Sequence, residues 1–170
     1  DEMDRYRSVG QLDSDQEQYS MIHRKLEGGS FQGEDGLPDQ LGYCKDNDVA
    51  VLAYSPLVLG LLTGKVGPER EFPKSDLRSS QKRFSKENRQ KVADLLSQFQ
   101  PIADKHSCSI AQLVIAWTVH QPGLTHALVG ARTPQQAKEN AGAGRISLDA
   151  EDLALMNGLV RSDATDLDMG

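Results

Sequence analysis

VAVLAYSPLVLGLLTGK, residues 49–65, begins as an unbroken apolar run and ends in a turn rich in glycine and proline. A run of that kind reads as a strand of a parallel sheet buried on both faces, over Val49–Tyr54. A second stretch repeats the pattern: LVGARTPQQAKEN, residues 128–140, leaves a strand over Thr125–Val129 and then opens a helix. Thr133 is placed to cap that helix, Pro134 suits its first turn, and Gln136 completes a capping-box spacing. A helix N-terminus offers unpaired N–H groups and partial positive charge. Gly130 lets backbone approach an anion, and Arg132 adds a planar, permanent cation. By residue chemistry this is a candidate phosphate-monoester site, although Gly130 as a plain turn and Arg132 as a solvated charge remain the alternative.

The flanking sequence fits an alternating α/β chain. Residues 2–8 read as a helix tail ended by Gly10, and Leu12–Ser20 as an unusually polar strand. Residues 21–27 are expected to start a helix. GGSFQGEDG, residues 28–36, carries four glycines in nine residues and reads as a flexible loop. Leu37, Leu41 and Cys44 fit a short helix. Residues 66–84, rich in Pro, Ser and charge, form a long surface loop, a common place for a lid. Ser85 caps a helix with Val92, Leu95, Leu96, Phe99 and Ile102 on one face. Ser109 and Gln112 make a second capping box, ahead of inward Ile110, Leu113, Val114 and Trp117. Asp149 caps a last helix bearing Leu153, Leu155, Met156 and Leu159.

Such alternation implies a parallel sheet with right-handed crossovers. Three strands are expected in 170 residues, whereas a closed eight-stranded barrel takes about 250. A barrel reading therefore leaves about half outside this chain. Bulk composition bounds the function. A net charge of −6 argues against a nucleic-acid backbone as partner. No apolar run approaches a membrane span, and the N-terminus lacks the apolar core of a signal peptide. The two cysteines, Cys44 and Cys108, make neither a disulfide framework nor a metal-ligand spacing, which suggests a reducing, cytoplasmic setting.

Four ordered motifs carry a resemblance: YSPLVLGLLTGK (54–65), DLRSSQKRFSKEN (76–88), AQLVIAWTVHQPG (111–123) and VGARTPQQAKEN (129–140). Together they resemble the aldo-keto reductases, specifically the potassium-channel-β-like oxidoreductase branch. Residues 1–27 resemble that family's fifth barrel helix and sixth strand. The resemblance implies the C-terminal half of a (β/α)8 TIM barrel, strands six to eight with their helices, as a single partial domain over 1–170. It implies NADPH/NADP as cofactor and hydride transfer to an aldehyde or ketone. The family's catalytic aspartate, tyrosine, lysine and histidine belong to its first four strands, so no catalytic residue is assigned here.

The same resemblance assigns Tyr54 to stacking on the nicotinamide and Gln16 to its carboxamide. Ser55, Leu57, Gly60 and Lys65 are assigned to the diphosphate turn, and Gly130, Arg132, Gln136, Glu139 and Asn140 to the adenosine end. A half-barrel is also expected to expose sheet edges, with the missing half or a second copy as partner. Three departures from the family pattern stand out: the absent N-terminal half-barrel, the glycine-rich 28–36, and Asp15 at a position the family keeps apolar. The family includes regulatory β subunits, so a non-catalytic NADP-binding subunit that docks a protein partner is the second expectation. A phosphate-binding barrel of unrelated chemistry is the third.

Overall fold

The computed structural model describes residues 2–31, 34–163 and 167. In chain order its elements are α1 (Glu2–Arg7), β1 (Ser14–Gln18), β2 (Glu27–Phe31), β3 (Glu34–Asp39), α2 (Gln40–Asp46) and β4 (Ala50–Tyr54). Then come α3 (Lys86–Gln98), α4 (Gln100–Lys105), α5 (Ile110–Val119), β5 (His126–Leu128), α6 (Pro134–Gly142) and α7 (Ala150–Asp163). Strands β1, β4 and β5 form a parallel sheet in that order. Its register pairs Gln18 with Tyr54 and Tyr54 with Leu128, so all three strands end at one edge.

Alternation along the pleat separates two faces. Val51 and Ala53 point into the core, and Asp15 and Glu17 share their side by register. Asp15 is tolerated there because the Gln40 amide on α2 donates to it at 2.7 Å. Ser14, Gln16, Gln18, Leu52, Tyr54, His126 and Leu128 share the other side by the same register, and Tyr54 and Leu128 are each 39% exposed.

The helical side centres on Trp117, fully buried on α5. Tyr19 stacks on it at 6.0 Å between centroids, and its indole N–H donates to Asn157 on α7 at 3.1 Å. The buried Arg24 guanidinium lies 5.2 Å from the same ring and grips the Glu27 carboxylate in a bidentate pair at 2.6 and 2.8 Å. The Tyr19 hydroxyl also donates to Glu27. Burial, then the Glu27 charge, pushes the Tyr19 phenol far above its usual range.

Local cap chemistry matches expectation. Ser85 Oγ accepts the Asn88 N–H, and Asp149 Oδ1 accepts the Asp152 N–H. Both halves of the Ser109–Gln112 capping box form.

Several expectations are corrected. Residues 21–27 make no helix. Met21 and Ile22 are fully buried in a tight turn closed by a Ser20–His23 bridge, so their burial comes from the core rather than a helical face. The segment 28–36, expected as a loop, lies largely in the antiparallel β2–β3 hairpin; Gln32 and Gly33 fall outside the described residues. Gly28 shows why glycine belongs there: its φ is +71°, and a Cβ would sit 2.8 Å from the Asp39 amide nitrogen. The helix from Ser85 stops at Phe99 and restarts as α4, with Pro101 in its first turn. On α7, Met156 and Val160 are buried, while Leu155 is 51% exposed. Finally, the stretch 66–84 is irregular but anchored, with 3-10 turns at Leu77–Ser80 and Lys82–Phe84 and buried Val66 and Phe84.

Candidate functional site

Because β4 and β5 are parallel neighbours, the turn after Tyr54 and the loop after Leu128 leave the same sheet edge side by side. The carboxyl ends of parallel strands are where α/β sheets hold ligands. The β4 turn is conformationally strained. Ser55, Val58 and Leu59 hold φ values of 60°, 48° and 52°, and Gly60 follows at 92°. Three hydrogen bonds brace it: Val58 N–H to Ser55 O, Gly60 N–H to Leu57 O and Leu62 N–H to Leu57 O. The Gly60 donor is thus used inside the turn, and its part there is to shape the backbone. Lys65 is exposed, and its N–H donates to Thr63 Oγ1 at 3.2 Å.

The β5 loop is held differently. Thr133 Oγ1 accepts the Gln136 N–H at 3.2 Å, as an N-cap should. The Gln136 carbonyl bypasses Thr133 and accepts the Arg132 N–H at 2.8 Å, correcting the expected capping box. Asn140 donates to Gly130 O at 3.3 Å and so ties the loop back to α6. Glu139 accepts from Gln135 at 3.0 Å, and its backbone carbonyl accepts from Gln112 on α5 at 3.0 Å. Arg132 and Gln136 are exposed, while Glu139 and Asn140 are half-buried.

Gln16 falls on the same sheet face as Tyr54, two residues back along the adjoining strand, and is exposed. The fold therefore puts Gln16 and Tyr54 on the open face, Ser55, Leu57 and Gly60 in the turn after β4, and Gly130, Arg132, Gln136, Glu139 and Asn140 in the loop after β5 and on α6, while Lys65 follows the β4 turn in the chain.

One nearby residue escaped the sequence reading. Asp76, in the 66–84 loop, grips Arg78 with both carboxylate oxygens at 3.0 and 2.6 Å. It also accepts the Arg78 backbone N–H at 3.0 Å. The Arg78 side-chain and backbone bonds, with the charges of Arg78 and Arg132, hold the Asp76 carboxyl down at about 2. The D-x-R spacing of 76–78, an acceptor capping a turn two residues before an arginine, is the signal that would have found it.

Among the described residues, no cluster of three or more His, Cys, Asp or Glu is placed to hold a metal, and no helix is long and apolar enough to cross a membrane.

Comparison with known proteins adds to the geometry. The chain is 36% identical over 156 residues to the NADH-specific methylglyoxal reductase of Escherichia coli (strain K12), covering 92% of this chain and 44% of that protein. It is 31% identical over 167 residues to Aldo-keto reductase YhdN of Bacillus subtilis (strain 168), covering 98% and 47%. The solved glycerol dehydrogenase AKR11B4 from Gluconobacter oxydans superposes with a TM-score of 0.83 at 30% identity, covering 96% of this chain and 47% of that one. The chain thus spans about half the length of these relatives. A sequence profile of the Aldo/keto reductase family matches residues 6–161, and the chain belongs to that family.

Proposed function

We propose that this chain is the cofactor-binding, C-terminal half of a (β/α)8 barrel that reduces small aldehydes or ketones with NADPH. The observation that carries the reading is the Tyr54–Leu128 pairing, which sets the β4 turn and the Arg132 loop on one edge. The residues present fit a dinucleotide. Tyr54 offers an accessible ring at the strand end, and Gln16 on the same face offers the donor and acceptor a carboxamide needs. Ser55, Leu57 and Lys65 line a turn suited to the diphosphate. The α6 N-terminus and Arg132 suit a 2′-phosphate. Gln136 would exchange its bond to Arg132 N–H for the adenosine end, and Glu139 and Asn140 would border the adenine.

When bound, the cofactor supplies the hydride for carbonyl reduction. This chain's part is to fix the cofactor's orientation and to neutralise its phosphates. Proton donation to the carbonyl falls to residues outside the chain.

Cofactor choice rests on Arg132. The relatives' names point both ways: the Escherichia coli protein is called NADH-specific, and a Schizosaccharomyces pombe relative, yakc, carries NADP(+) in its name. Fluorescence titration of NADPH and NADH against wild type and Arg132→Ala tests the assignment. A charge-assisted phosphate contact predicts about tenfold or more weaker NADPH binding, with NADH nearly unchanged. Equal effects on both cofactors would remove the 2′-phosphate role from Arg132.

A further inference from the structure

The β1–β4 ladder runs one bond past its last paired residues: the Tyr19 N–H donates to the Tyr54 carbonyl at 3.2 Å. Ser55 follows at once with φ of 60°, and Val58 and Leu59 also hold positive φ. Strain of this kind persists only where the surroundings over-determine the backbone. Two groups from outside hold this turn. At its far end Arg78 Nη1 reaches the Leu59 carbonyl at 3.5 Å. At its near end the holder is the Tyr19 backbone. That backbone is fixed in turn by its side chain. The Tyr19 ring is fully buried and lies within 6° of parallel to Trp117. Its hydroxyl donates to Glu27, which buried Arg24 grips in a bidentate pair while also lying over the Trp117 ring. Trp117 is itself tied to α7 through Asn157. An aromatic stack in the core thus ends, through one backbone bond, at the residue that opens the strained turn.

We propose that Tyr19 is a positioning residue for the dinucleotide: its stack on Trp117 fixes the Tyr54 carbonyl and so keeps the Tyr54 ring and the strained turn in the shape that meets the cofactor. The inference rests on the reading of this edge as a nicotinamide-dinucleotide site. Tyr19 is fully buried, so it acts through Tyr54 and not on a ligand. Tyr54 and the turn face the nicotinamide and diphosphate that NADPH and NADH share, so both cofactors feel its loss alike.

Tyr19→Met keeps most of the volume and removes the flat ring. Tyr19→Phe keeps the ring and removes the hydroxyl. Ser55→Gly relieves the left-handed strain next to Tyr54. NADPH and NADH are titrated by fluorescence against wild type, both Tyr19 variants, Ser55→Gly, the Tyr19→Met/Ser55→Gly double variant and Arg132→Ala, with folding checked by urea midpoints. Tyr19→Met is expected to weaken both cofactors roughly five- to tenfold, because binding must then restore a left-handed Ser55. Tyr19→Phe, which preserves the stack, is expected to stay within about twofold of wild type. In the Ser55→Gly background the Tyr19→Met loss is expected to fall below about twofold, since glycine adopts this φ freely. If Tyr19→Met does not fold, Trp117→Phe, which leaves Tyr19 a smaller ring to stack on, is measured in the same two backgrounds, with an expected loss of about threefold that Ser55→Gly removes. An equal loss in both backgrounds would overturn the proposal, because Tyr19 would then support the core alone. Unchanged binding in Tyr19→Met, or a loss as large in Tyr19→Phe, would also overturn it. Any of these results, with Arg132→Ala still weakening NADPH selectively, leaves the dinucleotide site standing. Absence of binding by either cofactor to wild type overturns both.

Discussion

The Gln136 side-chain carbonyl accepts the Arg132 backbone N–H at 2.8 Å, so the residue expected to meet the adenosine end instead closes the loop in front of it. A ligand anion at α6 meets a donor already occupied by a neutral acceptor that it can displace. Gln136→Glu keeps an acceptor of the same shape and adds a negative charge. NADPH binding is expected to weaken about tenfold and NADH less than twofold. Fluorescence titration reads both, and equal weakening would place the 2′-phosphate elsewhere.

Gly123 is required where Gly130 is not. At Gly123 φ is +86°, and a Cβ would lie 2.6 Å from the Leu41 carbonyl oxygen. Gly123→Ala is expected to cost about 2–4 kcal/mol, from left-handed backbone and steric overlap together. Gly130 has nothing within 4 Å of a built Cβ and no positive φ. Gly130→Ala should stay within about 0.5 kcal/mol of wild type. Urea denaturation distinguishes the two, and similar losses at both positions would contradict the backbone argument.

The Ser109 cap serves α5, the helix that carries Trp117. Ser109→Ala is expected to lose about 1 kcal/mol. Gln112→Ala should lose more, because that amide also donates to Glu139 O and joins α5 to α6. Thermal melting of the two variants checks the order, and a Gln112 loss smaller than the Ser109 loss would argue against the tie.

Lys105 bridges Asp149 and Asp152 at 2.9 and 2.8 Å, and His106 meets Asp152 at 2.6 Å, pinning the end of α4 to the start of α7. The Asp152 N–H and Lys105 hold Asp149 below its ordinary value of 3.8. Burial pushes Asp152 up, but Lys105 and His106 outweigh it, and the net displacement is also downward. An acid lowered by folding contributes stability above its unfolded value and loses it as pH falls through the folded one. Stability should therefore decline as pH drops below about 4. Lys105→Met should flatten that decline in urea midpoints, and parallel profiles for variant and wild type would contradict the linkage.

Elements set by near neighbours in sequence were legible before the fold was known. Ser85, Ser109, Thr133 and Asp149 reach only three residues ahead, so spacing alone finds their bonds. The strand at Ala50–Tyr54 was legible from its continuous apolar run, although only Val51 and Ala53 are fully buried and the face of Leu52 and Tyr54 is partly open. The family followed from four motifs in order. By contrast, residues 28–36 looked like a loop because the strand partners that order them lie across a hairpin and depend on glycines at positive φ. Met21 and Ile22 suggested a helix because apolar composition does not tell a buried turn from a buried face.

Sequence alone determined the alternating α/β plan, the helix caps, the family, and the residue types able to meet a phosphorylated cofactor. Tertiary structure decided which of those residues stand together. Strand register set Tyr54 beside Leu128, α6 turned Gln136 back onto Arg132, and the long loop brought Arg78 onto the Leu59 carbonyl. The physical reason is range. Caps and periodicity are written in dihedrals and contacts a few residues apart, whereas the two loops at the sheet edge follow strands more than seventy residues apart in the chain, which only the parallel pairing of Tyr54 with Leu128 brings together.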